Sequence, residues 1–249
     1  MRPFQPLTRR AWLARTLRTA LSALAAWWAP RRRAWGASKE IDYFTGTEWV
    51  GKNRSARFET FYINYWQPMR RIHPERWTLE VSGRVARPGR FTLEELRAFP
   101  RRRIASRLKC VECWSARAVW TGFAFDALAR RVAPHPEAAG VLFHCADEYT
   151  EYLSLETLRH PRTLLATHMD GAELSDEHGF PLRVIAPMKY GYKNPKAIVR
   201  MEFVEGERWG TWSRIGPYSP DGTILPGTDH PLDLGKTPHR IPGGEITGY

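Results

Sequence analysis

The sequence predicts an α+β fold, and three observations carry that prediction. Short apolar runs of strand length recur through the body of the chain, and two short helical patterns lie among them. The two kinds of element follow one another without regular strand–helix–strand alternation and without a Gly-x-Gly-x-x-Gly turn, which excludes a doubly wound dinucleotide-binding sheet. Of 249 residues, 43% are hydrophobic and 12% aromatic, including 11 Trp, which is too much apolar surface for a disordered chain.

In order along the chain, residues 37–76 are aromatic and irregular, as in Phe58-Glu59-Thr60-Phe61-Tyr62-Ile63-Asn64-Tyr65-Trp66, and no helix or strand period dominates there. From Trp77, Leu79 and Val81 alternate with Thr78, Glu80 and Ser82, which predicts a half-buried strand closed by Gly83. Thr92-Leu93-Glu94-Glu95 has capping-box spacing and starts a short helix ending before Pro100. A second helix is predicted over residues 123–132. Further strands are predicted at 141–143, 164–167, 182–186 and 198–204, with Met169-Asp170-Gly171 as a hairpin turn. Residues 205–249, rich in Gly, Pro and Trp, read as an extended tail packed over the domain. The plan is a leader over 1–36 and one domain over 37–249, whose motif-bearing part is 59–204.

The charge is uneven. The chain carries +12, but residues 1–36 hold eight Arg and no acid, which leaves 30 cations against 26 carboxylates, or +4, for residues 37–249. A basic nucleic-acid platform is therefore disfavoured, and no nucleic-acid partner is expected. The leader has the order of an export signal: Thr8-Arg9-Arg10-Ala11-Trp12-Leu13, an apolar stretch, then Ala34-Trp35-Gly36 as a small-x-small cleavage site. The paired arginines resemble a twin-arginine signal, whose machinery exports folded proteins, so the expected location is periplasmic. The other reading is an uncleaved basic amphipathic helix lying on a membrane.

Two groups of residues could carry chemistry. Cys110-Val111-Glu112-Cys113 is a CxxC, and Cys145 stands apart. The pattern admits a zinc site lacking an obvious second ligand pair, a redox dithiol, plain packing, or a soft thiolate ligand to a metal held mostly by an organic cofactor. Downstream, His178, Arg183, Lys189, Lys193 and Lys196 lie within 19 residues, with Gly191 permitting close backbone approach. This is either an anion cradle or a solvated basic loop.

Taken together, Leu108-Lys109-Cys110-Val111-Glu112-Cys113-Trp114-Ser115, Trp120-Thr121-Gly122-Phe123, His178-Gly179-Phe180-Pro181-Leu182-Arg183 and Lys189-Tyr190-Gly191-Tyr192-Lys193 resemble the sulfite-oxidase-fold molybdenum oxidoreductases. Within these, the likeness is greatest to the catalytic subunits of the periplasmic protein-methionine-sulfoxide reductase systems. The resemblance implies a sulfite-oxidase-like domain of mixed sheets and short helices, a Mo-molybdopterin cofactor, and Cys110 as the protein thiolate on the metal. Carried over by position, it implies pterin contacts at Glu59, Tyr62, Ile63, Cys145, His178, Arg183, Asn194, Pro195 and Lys196. Arg183 and Lys196 would neutralise the pterin phosphate, and the turn from Asn194 to Lys196 would offer backbone N–H groups. His178 is the residue the sulfite-oxidase branch uses there. The resemblance further implies a monomeric catalytic subunit exchanging electrons with a membrane haem protein or a cytochrome.

Sulfite oxidases place arginines soon after the metal-binding cysteine. Here Glu112, Trp114, Ser115 and Ala116 follow Cys110, and Arg117 is the nearest cation. Burying a dianion without paired cations is costly, so a small or protein-bound S-oxide is expected as substrate, with Tyr218 as a pocket residue or simply a packed aromatic. The alternatives are sulfite oxidation at the same centre and a non-catalytic protein that binds anions through the loop 189–196.

Overall fold

The computed structural model describes residues 61–67, 69–111, 115–216 and 218–224, together with short strands at 43–44, 47–50, 228–229 and 239–240. The leader, Glu59, Glu112 and Cys113 lie outside the described residues, as does the side chain of Tyr62.

Four short strands come first: β1 (Tyr43–Phe44), β2 (Thr47–Val50), β3 (Phe61–Asn64) and β4 (Met69–Arg70). They pair as β1 with β4 and β2 with β3. No period dominates 37–76 in the sequence because these strands, of two to four residues, are too short to display one. Next come β5 (Thr78–Gly83), β6 (Gly89–Thr92) and helix α1 (Leu93–Arg97). The capping box is real: the Thr92 side chain accepts from the Glu95 N–H, and the Glu95 carboxylate accepts from the Thr92 N–H at 2.7 Å.

A long hairpin follows, β7 (Arg101–Lys109) against β8 (Ser115–Phe123), then helix α2 (Phe125–Val132). The helix predicted from 123 begins two residues later, because Phe123 still pairs with Arg101 and Leu165 in the sheet. After β9 (Gly140–Cys145) and β10 (Thr150–Ser154) comes helix α3 (Leu155–Arg159), capped by the Ser154 hydroxyl. Strands β11 (Leu164–Met169) and β12 (Ala172–Glu173) form the predicted hairpin, with Asp170 at φ 50° and Gly171 at φ 89° as the left-handed pair that its turn requires. The remaining elements are β13 (Arg183–Ile185), a single 3₁₀ turn at Gly191–Lys193, β14 (Ile198–Val204), helix α4 (Thr211–Ile215), β15 (Thr228–Asp229) and β16 (His239–Arg240).

Two five-stranded sheets dominate. One has the order β10-β9-β14-β5-β6, with β14 parallel to β5; the other has the order β12-β11-β8-β7, with β13 added to β11. The first sheet's inner face (Leu79, Val81, Val141, Phe143, Met201, Phe203) packs with α1 and α2 residues such as Leu96, Phe125 and Leu128 into the larger core. A second core gathers Leu108, Ala116, Ala118, Trp120, Leu164, Ala166 and Ile185 behind β7 and β8. Burial of these side chains, at roughly 25 cal/mol per Å² of apolar surface, holds the sheets in place. The cleft described next lies where β7, the turn after β9, and the loops flanking β13 converge.

Candidate functional site

A cleft of about 150 Å³ is lined by Ile63, Tyr65, Trp66, Leu108, Cys110, Val111, Asp147, Tyr149, Glu177, His178, Arg183, Gly191, Tyr192, Asn194, Pro195, Lys196, Trp212 and Tyr218. Strand β7 ends at Lys109 and delivers Cys110, partly exposed, to the cleft wall. Gly191 packs against this point: a Cβ there would meet Leu108 Cδ2 at 3.2 Å and Cys110 Cα at 3.7 Å. A Cβ at 191 would be tolerated only if the Leu108 side chain gave way by a few tenths of an ångström, and anything larger would crowd the cysteine.

One end of the cleft is cationic. Arg183, 6% exposed, donates from Nη1 to the His178 carbonyl at 2.8 Å, and its guanidinium lies 4.9 Å from the centre of the Trp120 ring. Its buried Nε has no hydrogen-bond partner, and it forms no ion pair with a carboxylate among the described residues. Burial pushes its pKa down to about 10, so it stays charged at neutral pH. Lys196 donates to the Glu177 carbonyl at 2.9 Å and sits 4.2 Å from the Tyr65 ring centre. Burial, and then the neighbouring Arg183, push the ammonium down to about 7. Burial with Arg183 and Lys196 lowers His178 to about 4, so its imidazole is neutral at pH 7. Gly179, at φ 95°, is required here, because a Cβ would collide with Lys196 Cβ.

The expected lysine cradle is corrected in part. Lys189 is buried and bonds Asp221 Oδ1 at 2.5 Å and Thr223 Oγ1 at 2.8 Å. Lys193, 1% exposed, pairs at 2.5 Å with Glu151, 0% exposed, and donates to the Pro220 carbonyl at 2.6 Å. Both lysines fasten the 219–223 segment to the cleft floor rather than face a ligand. The turn from Asn194 to Lys196 also differs from expectation. Asn194 Oδ1 accepts from Ala186 N at 2.6 Å and its N–H bonds the Gly191 carbonyl; Pro195 has no N–H; the Lys196 N–H lies against the Cys145 thiol. Cys145 is buried behind Lys196 and is not among the lining residues, and burial pushes its thiol pKa well up.

The structure adds residues that sequence reasoning missed. Asp147, buried at the cleft, accepts from Trp66 N at 2.7 Å and Tyr149 N at 3.2 Å, and burial raises its pKa. The single Tyr149 O–H is shared between two acceptors, Glu151 Oε2 at 2.9 Å and the Tyr192 carbonyl at 2.7 Å. The rim is aromatic: Trp212 lies 5.5 Å from Trp66 and 5.5 Å from Tyr218, and Tyr218 lies 5.4 Å from Tyr192. Tyr218 is therefore at the cleft, as expected, whereas Arg117 is exposed and neither it, Arg107 nor Arg214 lines the cleft.

The donor set fits a pterin-held metal. Among the described residues no group of three or more His, Cys, Asp and Glu could hold an ion, so a metal at Cys110 needs most of its ligands from an organic group. The buried, unsatisfied Arg183 Nε beside Lys196 fits an anionic end on that group.

The oxidoreductase molybdopterin-binding domain family matches residues 66–212. The protein-methionine-sulfoxide reductase catalytic subunit MsrP of Pseudomonas syringae pv. tomato is 32% identical over 193 residues, which cover 70% of this chain and 57% of that protein. MsrP of Xanthomonas axonopodis pv. citri is 35% identical over 185 residues, which cover 67% of this chain and 58% of that protein. The sulfane dehydrogenase SoxCD from Paracoccus pantotrophus superposes with a TM-score of 0.54 at 17% identity, over 78% of this chain and 60% of that one, a likeness of fold. The chain spans 57–58% of the length of these MsrP relatives.

Proposed function

Because this chain belongs to the oxidoreductase molybdopterin-binding domain family, we propose that it is a periplasmic catalytic subunit that removes the oxygen atom from an S-oxide, with electrons supplied by a separate haem protein. The observation that carries the reading is the meeting, in one cleft, of Cys110 with the buried guanidinium of Arg183, which has no carboxylate partner and an unsatisfied Nε among the described residues. When bound, the molybdenum–molybdopterin group supplies two-electron oxygen-atom transfer.

The chain's own residues divide the remaining work. Cys110 provides the soft sulfur ligand to the metal. Arg183 and Lys196 bind the anionic end of the pterin, while neutral His178 and the Ile63 side chain line its path. Asn194 and Pro195 line the cleft, and Asn194 with Cys145 holds Lys196 and the loop in place. Trp66, Tyr192, Trp212 and Tyr218 exclude water and receive an apolar thioether side chain. The Tyr218 hydroxyl donates a hydrogen bond to the sulfoxide oxygen. The overall change is balanced by two electrons and two protons, giving sulfide and water.

Arg183 is the one arginine lining the cleft among the described residues, and its partner is the cofactor, which leaves little positive charge for a substrate dianion. Steady-state assays of the holoenzyme with benzyl viologen as donor, and with ferricyanide as acceptor for sulfite, test this. The expected kcat/KM is higher for methionine sulfoxide; a higher value for sulfite would overturn the substrate assignment. Export is read separately, by replacing Arg9 and Arg10 with Lys: loss of periplasmic accumulation is expected, and undiminished accumulation would remove the twin-arginine route.

A further inference from the structure

Some arginines at the surface of this molecule have a carboxylate to answer them. Arg71 pairs with Asp176 at 3.2 Å, Arg84 with Glu205 at 2.5 Å, Arg90 with Glu80 at 3.0 Å, Arg159 with Asp126 at 3.6 Å and Arg200 with Glu202 at 3.4 Å. Others, such as Arg76, Arg130 and Arg131, make no ion pair among the described residues, and the β7–β8 hairpin gathers three of this kind on its outer face. Arg101, Arg103 and Arg117 are exposed there and make no ion pair among the described residues.

The strand period explains the grouping. Alternate residues share a face, so Arg101 and Arg103 lie on one side of β7 with Arg107, while Leu108 on the other side enters the core. Arg117 on β8 stands opposite Arg107 in register. From Arg101 to the Arg107–Arg117 rung is roughly 20 Å of strand, at about 3.3 Å per residue. Two carboxylates on the flank are already committed: Asp170 Oδ1 accepts from Val119 N at 2.8 Å, and Glu173 pairs with Arg97. This stripe runs toward the strand end where Lys109 gives way to Cys110, about 10 Å beyond Arg107.

We propose that the outer face of β7–β8, with Arg101, Arg103 and Arg117, is the docking surface for an acidic electron-donating protein. The proposal rests on the reading of the cleft as a redox centre. Charge complementarity selects an acidic partner, and continuity of the stripe with Cys110 selects one whose redox group must come close to the cleft wall. A bilayer is the weaker occupant, because the large apolar side chains exposed among the described residues are Trp209 and Ile215, in and before α4, which leaves the stripe without an apolar anchor. Each docking delivers one electron as the donor's haem iron is oxidised. Two dockings supply the pair that S–O cleavage consumes with two protons, releasing sulfide and water.

The test compares wild-type holoenzyme with the triple variant R101Q/R103Q/R117Q, none of whose altered residues lines the cleft. Stopped-flow spectroscopy follows oxidation of the reduced, acidic haem domain of cytochrome b5 with methionine sulfoxide present. At low ionic strength the second-order rate should fall roughly tenfold in the variant, and the wild-type rate should drop with added salt while the variant's stays nearly flat. Turnover with benzyl viologen should be the same in both. Equal rates with the haem protein would overturn the proposal. So would loss of binding to phosphatidylserine vesicles, or gain of self-association through the β7 edge, with the haem-protein rate unchanged. If wild type fails with benzyl viologen and sulfoxide, the functional reading fails. Docking is then judged by interferometry with the same haem domain, where undiminished affinity in the variant would overturn it.

Discussion

Replacing Arg183 with Met separates a residue that holds a ligand from one that holds the fold. The side chain is 6% exposed, and burial brings its pKa to about 10. Relative to an ordinary arginine, at 1.36 kcal/mol per pH unit, keeping the charge buried in the cleft costs about 3 kcal/mol. The bond to the His178 carbonyl returns about 1.5–3 kcal/mol and the contact with Trp120 about 1 kcal/mol. These terms nearly cancel, so R183M should change the stability of the cofactor-free protein by less than about 1 kcal/mol. The sign of the linkage follows from the depressed pKa. The unfolded chain keeps this proton to higher pH than the folded one, so the full penalty stands at neutral pH and is relieved only as pH rises through about 10. Cofactor retention should behave differently: losing a charge-assisted bond worth about 1.5–3 kcal/mol weakens it roughly 10- to 100-fold. Urea unfolding of the cofactor-free protein, with pterin released and measured by fluorescence from the loaded protein, reads both quantities. A stability loss of about 3–5 kcal/mol would mark Arg183 as structural, and undiminished pterin content would remove it from the cradle.

The buried Lys193–Glu151 pair should respond in the opposite way. E151Q leaves an uncompensated ammonium under the cleft floor and should cost about 3–5 kcal/mol in urea unfolding, while E151M/K193M should recover most of it; an unchanged midpoint in E151Q would contradict the pairing. Lys196 should make anion binding to the cofactor-free cleft pH-dependent. Its charge is lost as pH rises through about 7, so calorimetric affinity for sulfate, whose own charge is constant there, should decline across that range and be flat in K196M; a flat wild-type profile would exclude the lysine. By linkage, the folded state of the wild type should also gain stability as pH rises above about 7, because the unfolded chain still carries that proton.

Much of the site was legible because its chemistry is local in sequence. Cys110, Gly191 and Arg183 announce a thiolate, a close approach and a guanidinium by residue type alone, and the cleft brings them together. The lysines were less legible: what Lys189 and Lys193 do depends on Asp221 and Glu151, 32 and 42 residues away. The largest hairpin escaped the strand period because β7 opens with three exposed arginines and alternates only toward Leu108. Asp147, Tyr149 and Glu151 carry no motif: Asp147 and Tyr149 lie in the turn between β9 and β10, with Glu148 at φ 63°, and only the folded turn brings them to the site. The strand over 198–204 and the turn at Asp170-Gly171 were clear, since a short apolar run and a left-handed turn leave direct marks on the sequence.

The central claim is that Cys110 ties a pterin-held molybdenum to this cleft, and elemental mass spectrometry tests it most directly. Protein purified from a host that makes the cofactor is measured alongside C110S and C113A. The account predicts about one molybdenum per chain in wild type and in C113A, with turnover lost in C110S because a hydroxyl is a poor replacement for a soft thiolate. Absence of molybdenum from the wild-type protein, or equal losses of metal and turnover in both cysteine variants, would contradict it.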